Sequence, residues 1–253
     1  MNALNLNPIY EKEHSPYGAS SLSRYSKCPG SINLSKDIPS TTSVYAKEGT
    51  LAHEMIELIL TDKKSLSELE GLQIYDAVKL YINYIHAILN INTDSYIEYK
   101  FDLSQIFDGM FGTSDAVIYN RASKKLHVID YKHGAGVAVE AKDNLQLQFY
   151  ALGSLLNLNL PCEEVEMTIV QPRCKHDAGP IRSWSVPSIH FIDFAADLKM
   201  YAVATQDPNA PLIGGDHCMF CPASKICPSF VKPKKIIKNV DPRKQFTVVT
   251  DEN

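Results

Sequence analysis

Residues 126–150 read LHVIDYKHGAGVAVEAKDNLQLQFY. Leu126 to Lys132 has the character of a strand, with β-branched Val128 and Ile129 and a lysine-bearing turn (Lys124, Lys125) before it. Side chains alternate along a strand, so Asp130 and Lys132 point to one side. A carboxylate and an ammonium on one face of a core strand suit a particular chemistry. The carboxylate holds a hard cation. The ammonium steadies a nucleophile or the charge that develops on a phosphate.

Two further pieces belong to this unit. Upstream, Gly112 to Ile118 reads as a second strand bearing another acid, Asp115. A short turn through Arg121 to Lys125 makes the two strands antiparallel neighbours, so Asp115 and Asp130 can approach and share a metal. Downstream, Asp143 to Leu156 reads as a helix, on which Gln146 and Tyr150 lie four apart on one face.

Gly112…Asp115, then Asp130-Tyr131-Lys132, then Gln146-x-x-x-Tyr150 resembles the PD-(D/E)XK nuclease superfamily, and within it the RecB-type exonuclease branch. That branch also carries a helical histidine near its start, and Gly49-Thr50-Leu51-Ala52-His53 matches it. The resemblance implies an α/β fold, a restriction-endonuclease-like mixed sheet flanked by helices. It implies that His53, Asp115, Asp130 and the backbone carbonyl of Tyr131 hold one or two Mg²⁺ or Mn²⁺ ions. Glu98, in Ser95–Leu103, matches an acid that assists the site in related exonucleases; a strand-face pair with Lys100 is the plainer reading. Lys132 would orient water or offset phosphate charge. Gln146 and Tyr150 would contact DNA or support Lys132.

The chain has 253 residues, 45% of them hydrophobic, which is enough for one large domain with a real core. The start, MNALNLNPIYEKEH, lacks a basic segment followed by an apolar block, and no apolar run has the length of a membrane span. A cytoplasmic protein is therefore expected. The net charge is −4, so the chain is not coated in positive charge, although a metal-dependent nuclease can be acidic overall. Near the end, Lys225, Lys232, Lys234, Lys235, Lys238, Arg243 and Lys244 are opposed only by Asp241. This stripe reads either as a phosphate-backbone contact or as a solvated, flexible tail. The expected organisation is one nuclease domain over 1–230, with N-terminal helices in 18–90, a sheet core in 95–205 and a cysteine segment in 215–230. A basic tail occupies 231–253.

Along the chain, Ser20 or Ser21 can cap a short helix to about Lys27, ended by Pro29-Gly30. Ala46–Leu60 is a helix carrying His53. Leu66–Asn90 is helical with a break at Gly71, and its Tyr75, Val78, Tyr81, Ile82, Ile85 and Ile88 recur at core-facing spacing. Lys36–Thr42 is a loop. Glu163–Gln171 and Ile181–Val186 are strands, and Ile189–Ala204 is a helix.

There are six cysteines, and the absence of a secretory signal argues against a disulfide framework. Cys218, Cys221 and Cys227 lie close together, leaving a tetrahedral site one ligand short, and Cys28 is the best fourth. The one-plus-three pattern resembles that of AddB-type nucleases and of exonucleases of CRISPR adaptation, which implies a 4Fe–4S cluster on Cys28, Cys218, Cys221 and Cys227. Four thiolates also suit structural zinc, with His217 as a substitute ligand. Cys162 and Cys174 read as ordinary thiols.

No G-x-x-x-x-G-K-[ST] sequence is present. The implied function is thus a stand-alone DNA exonuclease of phage or prophage recombination or DNA repair, working with a single-strand annealing protein, in an oligomeric state the sequence leaves open. The competing readings are a non-catalytic DNA-binding scaffold on a nuclease fold and a redox protein whose cluster is its function. The intact Asp115, Asp130 and Lys132 argue against both.

Overall fold

A computed structural model describes residues 15–39 and 44–232, and in it five strands form one mixed sheet in the order β1-β2-β3-β4-β5. β2 (Phe111–Asn120) runs antiparallel to both its neighbours, β1 (Thr93–Asp102) and β3 (Lys125–Tyr131). β4 (Glu164–Val170) is parallel to β3, and β5 (Ile181–Pro187) is antiparallel to β4. A parallel pair needs a crossover, and α5 (Leu145–Leu158) lies between β3 and β4 in the chain.

β3 is buried on both faces from Leu126 onward, which is why it reads as a nearly continuous apolar run. Leu126 and Val128 face a core built with α1 (Ala19–Tyr25), α5 and α6 (His190–Ala204), where Leu22, Leu147, Phe149 and Leu198 pack. Ile129 and Tyr131 face the opposite core, built with α3 (Val44–Leu60) and α4 (Tyr75–Ile88) through Ile56, Val78, Tyr81 and Ile85. Each such side chain contributes about 1.5–3 kcal/mol by leaving water. β3 is thus clamped from both sides, and its last residues have little freedom. The apolar positions of α4 are core, as their spacing implies.

The elements fall within a few residues of the positions expected from sequence, with three differences. α1 is capped by Gly18, without a side-chain cap bond, rather than by Ser20 or Ser21; the Ser21 hydroxyl bonds instead to the carbonyls of Pro16 and Gly18. A further short helix, α2 (Ser31–Ser35), follows Pro29-Gly30 directly. Asp143 does not open α5: its φ of 56° lies in the left-handed region, and Asn144 caps the helix by accepting from the amides of Gln146 and Leu147. No helix among the described residues is long and apolar enough to cross a membrane. Met1 to Ser15 reads as irregular in the sequence, and all of it but Ser15 lies outside the described residues, as do the end of the Lys36–Thr42 loop and the basic residues Lys234, Lys235, Lys238, Arg243 and Lys244.

Candidate functional site

The strand registers put three carboxylates in one row. In the β1–β2 ladder Ile97 faces Ala116 and Tyr99 faces Ser114, which sets Glu98 opposite Asp115. In the β2–β3 ladder Ala116 faces Ile129, and one more step sets Asp115 opposite Asp130. Regular β2–β3 pairing stops at that step. The amide of Tyr131 donates to Asp115 Oδ2 at 2.7 Å. A carboxylate has taken the place of a ladder carbonyl, so the two strands part where the acids sit.

Glu98 reaches this row through its backbone. Tyr96 and Tyr99, three apart, both pack toward the α5 core, whereas Ile97 packs toward the α3–α4 core. The alternation slips by one at Glu98, whose φ is 49°. A non-glycine residue in the left-handed region is strained by about 1 kcal/mol or more, and such strain is found where a side chain must be aimed. Here it leaves the Glu98 carboxylate within reach of Asp115 and of His53 on α3 (Val44–Leu60).

His53 comes from α3. Its Nδ1 is 3.3 Å from Asp115 Oδ1, and its ring meets Tyr131 edge-on with centroids 5.3 Å apart. His53, Glu98 and Asp115 each offer a ligand atom, all within 4.8 Å of one another. Burial alone would lower the His53 pKa, but the Asp115 and Asp130 carboxylates outweigh it and raise it. Burial alone would raise that of Asp115; His53, Lys132 and the Tyr131 amide hold it below the ordinary value instead.

Asp130, beside Asp115, is tied to Lys132. Lys132 Nζ lies 2.8 Å from its Oδ2 and 3.1 Å from its Oδ1. Burial pushes the Asp130 carboxyl up to about 6 despite that ammonium. The wholly buried Oδ2 accepts no well-aligned hydrogen bond, so it retains a lone pair for a cation. Lys132 Nζ also donates to Gln146 Oε1 at 2.7 Å, and Gln146 Nε2 donates to the Tyr150 hydroxyl at 2.7 Å. The i, i+4 pair on α5 therefore forms a relay that sets the position of the ammonium.

Sequence reading did not single out a second tier of residues behind these groups. Glu48 on α3, His133 just past β3 and Arg173 just past β4 meet on the α3 side. Arg173 Nη1 is 3.0 Å from Glu48 Oε2 and donates to His133 Nε2; His133 Nδ1 is 2.8 Å from the Tyr131 hydroxyl. Since Arg173 has only donors, His133 Nε2 must accept, which leaves its proton on Nδ1, toward Tyr131. Burial and Arg173 push the His133 pKa down to about 4, so the ring is neutral at pH 7. Buried Gln171 ties down the loop after β3: its Nε2 donates to the carbonyls of Gly134 and Val137, and its Oε1 accepts from the amide of Val139 and from Arg182. None of these long-range pairs has a local pattern. Only the Gln171-Pro172-Arg173 strand end, polar residues closing an apolar strand, offered a signal.

Cys28, Cys218, Cys221 and Cys227 line one small pocket, together with Ser31 and His217. All are free thiols. The amide of Ile213 donates to Cys28 Sγ at 3.2 Å and that of Gly215 to Cys218 Sγ at 3.4 Å. Arg24 lies near Cys28 and Cys221 and donates to the Ser31 carbonyl at 2.9 Å. The N-terminal and C-terminal segments touch closely here: the Gly30 amide donates to the Pro211 carbonyl, and a Cβ at Gly30 would stand 2.4 Å from the Ala210 oxygen. Cys162 and Cys174 lie elsewhere, before and after β4.

Residues 14–252 match the family described as "Protein of unknown function (DUF2800)". The chain belongs to this family. The DUF2800 chain is also similar to a solved structure titled "Crystal structure of SSO0001", at 16% identity and a TM-score of 0.39 over 88% of this chain and 90% of that one.

Chemically, the DUF2800 site offers hard oxygen and imidazole donors from three elements, β1, β2 and α3, and a third acid, on β3, held by the Lys132 ammonium. Mg²⁺ and Mn²⁺ favour such donors. The pocket of four thiols offers soft donors with N–H groups and a guanidinium aimed at them, which suits a thiolate-bound metal centre.

Proposed function

We propose that this protein is a metal-dependent deoxyribonuclease of the PD-(D/E)XK type that hydrolyses phosphodiester bonds, acting as an exonuclease. The observation that carries the reading is the row Glu98–Asp115–Asp130 at the point where β2 and β3 part, with His53 over one end and Lys132 at the other. His53, Glu98 and Asp115, with Asp130 and the Tyr131 carbonyl beside them, would hold Mg²⁺ or Mn²⁺. The cation, when bound, supplies acidification of water and neutralisation of phosphate charge.

The chain's own groups do the rest. Lys132, held by Asp130 and Gln146, presents a fixed positive charge where charge develops on the phosphate. The Asp115–Tyr131 bond locks β3 against β2, so the acids do not shift when a substrate arrives. Gln146 and Tyr150 face the same space and set the orientation of the ammonium. The four-thiol pocket would hold a 4Fe–4S cluster that joins the N-terminal helices to residues 211–230; zinc is the competing occupant. DNA is the substrate, and recombination or repair alongside an annealing protein is the setting.

Anaerobically purified protein is incubated with end-labelled linear DNA and with circular DNA, with Mg²⁺, Mn²⁺ or a chelator, beside Lys132→Ala. Metal-dependent loss of linear but not circular DNA, absent in the variant, is the expected result. Cleavage of circles would make it an endonuclease. No cleavage by folded, metal-loaded protein would favour a DNA-binding scaffold.

A further inference from the structure

We propose that Arg173 is a positioning residue that sets where His53 stands relative to Asp115. The proposal rests on the metal-site reading above and extends it to a group that touches neither metal nor DNA. Arg173 leaves β4 next to Pro172, and its side chain is only 9% exposed. It bridges two elements that must keep a fixed spacing. On one side is Glu48 of α3, at 3.0 Å, five residues before His53 on the same helix. On the other is His133, which follows Lys132 directly and accepts from the guanidinium.

The start of α3 runs close past the end of β3: a Cβ at Gly49 would stand in ordinary contact with that of His133, 3.7 Å away. From His133 the chain of contacts runs through Nδ1 to the Tyr131 hydroxyl at 2.8 Å, and from the Tyr131 ring to His53. The same Tyr131 donates its amide to Asp115. Arg173 therefore pins α3 at the Glu48 end, while Tyr131 buttresses it at the His53 end. Both contacts run through one nitrogen, Nη1, whose two hydrogens serve Glu48 and His133. Without that bridge, α3 can pivot about its packed apolar face, and the 3.3 Å approach of His53 to Asp115 opens.

The test uses the full chain with Arg173→Gln, Arg173→Lys and Glu48→Gln. Mn²⁺ affinity is read by electron paramagnetic resonance, and the ring ¹⁵N shifts of His133 and His53 by NMR. Loss of an orienting outer group weakens metal binding by about 10–100-fold. Arg173→Gln should fall in that range, with the His133 proton no longer confined to Nδ1 and the His53 shifts moved. Arg173→Lys and Glu48→Gln should show smaller changes of the same sign, and they carry the test should Arg173→Gln fail to fold. The thiol pocket's metal content should not change. Mn²⁺ affinity within twofold of wild type in all three folded variants would overturn the proposal. If wild type binds no Mn²⁺, the metal-site reading itself fails. Movement of the His53 resonances in Arg173→Gln would then still support the coupling, and unmoved resonances would sink it.

Discussion

The backbone amide of Tyr131 donates to Asp115 Oδ2 at 2.7 Å, in the position where the β2–β3 ladder would have supplied a carbonyl. One side chain therefore serves as ladder acceptor with one oxygen and as His53 partner with the other.

These two uses separate on substitution. Asp115→Asn keeps an oxygen able to accept from Tyr131, so it should fold and melt close to wild type while losing Mn²⁺ binding and cleavage. Asp115→Ala leaves a buried amide without an acceptor and should cost about 1–3 kcal/mol besides. Urea denaturation of both variants, beside a metal titration, reads the difference.

Asp130 makes stability depend on pH in a defined direction. Burial raises its carboxyl from the ordinary 3.8 to about 6, so the folded chain binds that proton more tightly than the unfolded chain. The folded state is favoured most below the ordinary value and loses that advantage as pH rises to about 6. Metal-free wild type should therefore lose stability across this interval. Asp130→Asn should lack that slope and be more stable than wild type at pH 7, by about 1–3 kcal/mol. Cleavage by wild type should rise over the same interval, as the carboxylate forms, and be absent in the variant. Thermal melts at stepped pH, in chelator, measure the first effect.

The Lys132–Gln146–Tyr150 relay predicts a graded loss. Tyr150→Phe frees only the far end of the Gln146 amide and should lower the single-turnover rate by roughly tenfold. Gln146→Leu leaves the ammonium held by Asp130 alone and should lower it by about a hundredfold, with little change in DNA affinity, since a small misplacement of a catalytic group costs on this scale.

Much of this was legible in the chain. The Asp130–Lys132 pair follows from strand alternation and Gln146–Tyr150 from helical spacing, because both periods are local. The antiparallel placement of β2 and β3 follows from the short turn between them. Glu98 was visible as an acid on a strand, yet what brings it round is a φ of 49°, which a glutamate gives no hint of. Glu48, His133 and Arg173 were not legible. They come from three elements, and only the folded sheet brings them within reach of each other.

The strained Glu98 offers its own test. A β-branched residue tolerates positive φ worst, so Glu98→Val should be destabilised by about 1–2 kcal/mol, while Glu98→Gly should stay near wild type. Both should bind Mn²⁺ more weakly. Calorimetric melts paired with the titration distinguish backbone strain from lost ligation.

The cysteines divide into two groups. With the proposed 4Fe–4S cluster in the pocket, Cys28→Ser should lose iron and visible charge-transfer absorption that wild type carries, while Cys162→Ser should retain both. Metal analysis showing one zinc and no sulfide would assign the pocket to zinc.

The four thiols also impose an order of events on synthesis. Cys28 emerges early, but its three pocket partners lie beyond β5 and α6. Every residue of the carboxylate site, from Glu48 to Arg173, has left the ribosome before Cys218 is added. A nascent chain can thus assemble the acid row while Cys28 still waits for its partners. A chain stalled or cut short of residue 218 would present that row without the contacts that tie its two ends together. The pocket itself can be completed only once Cys227 has been added.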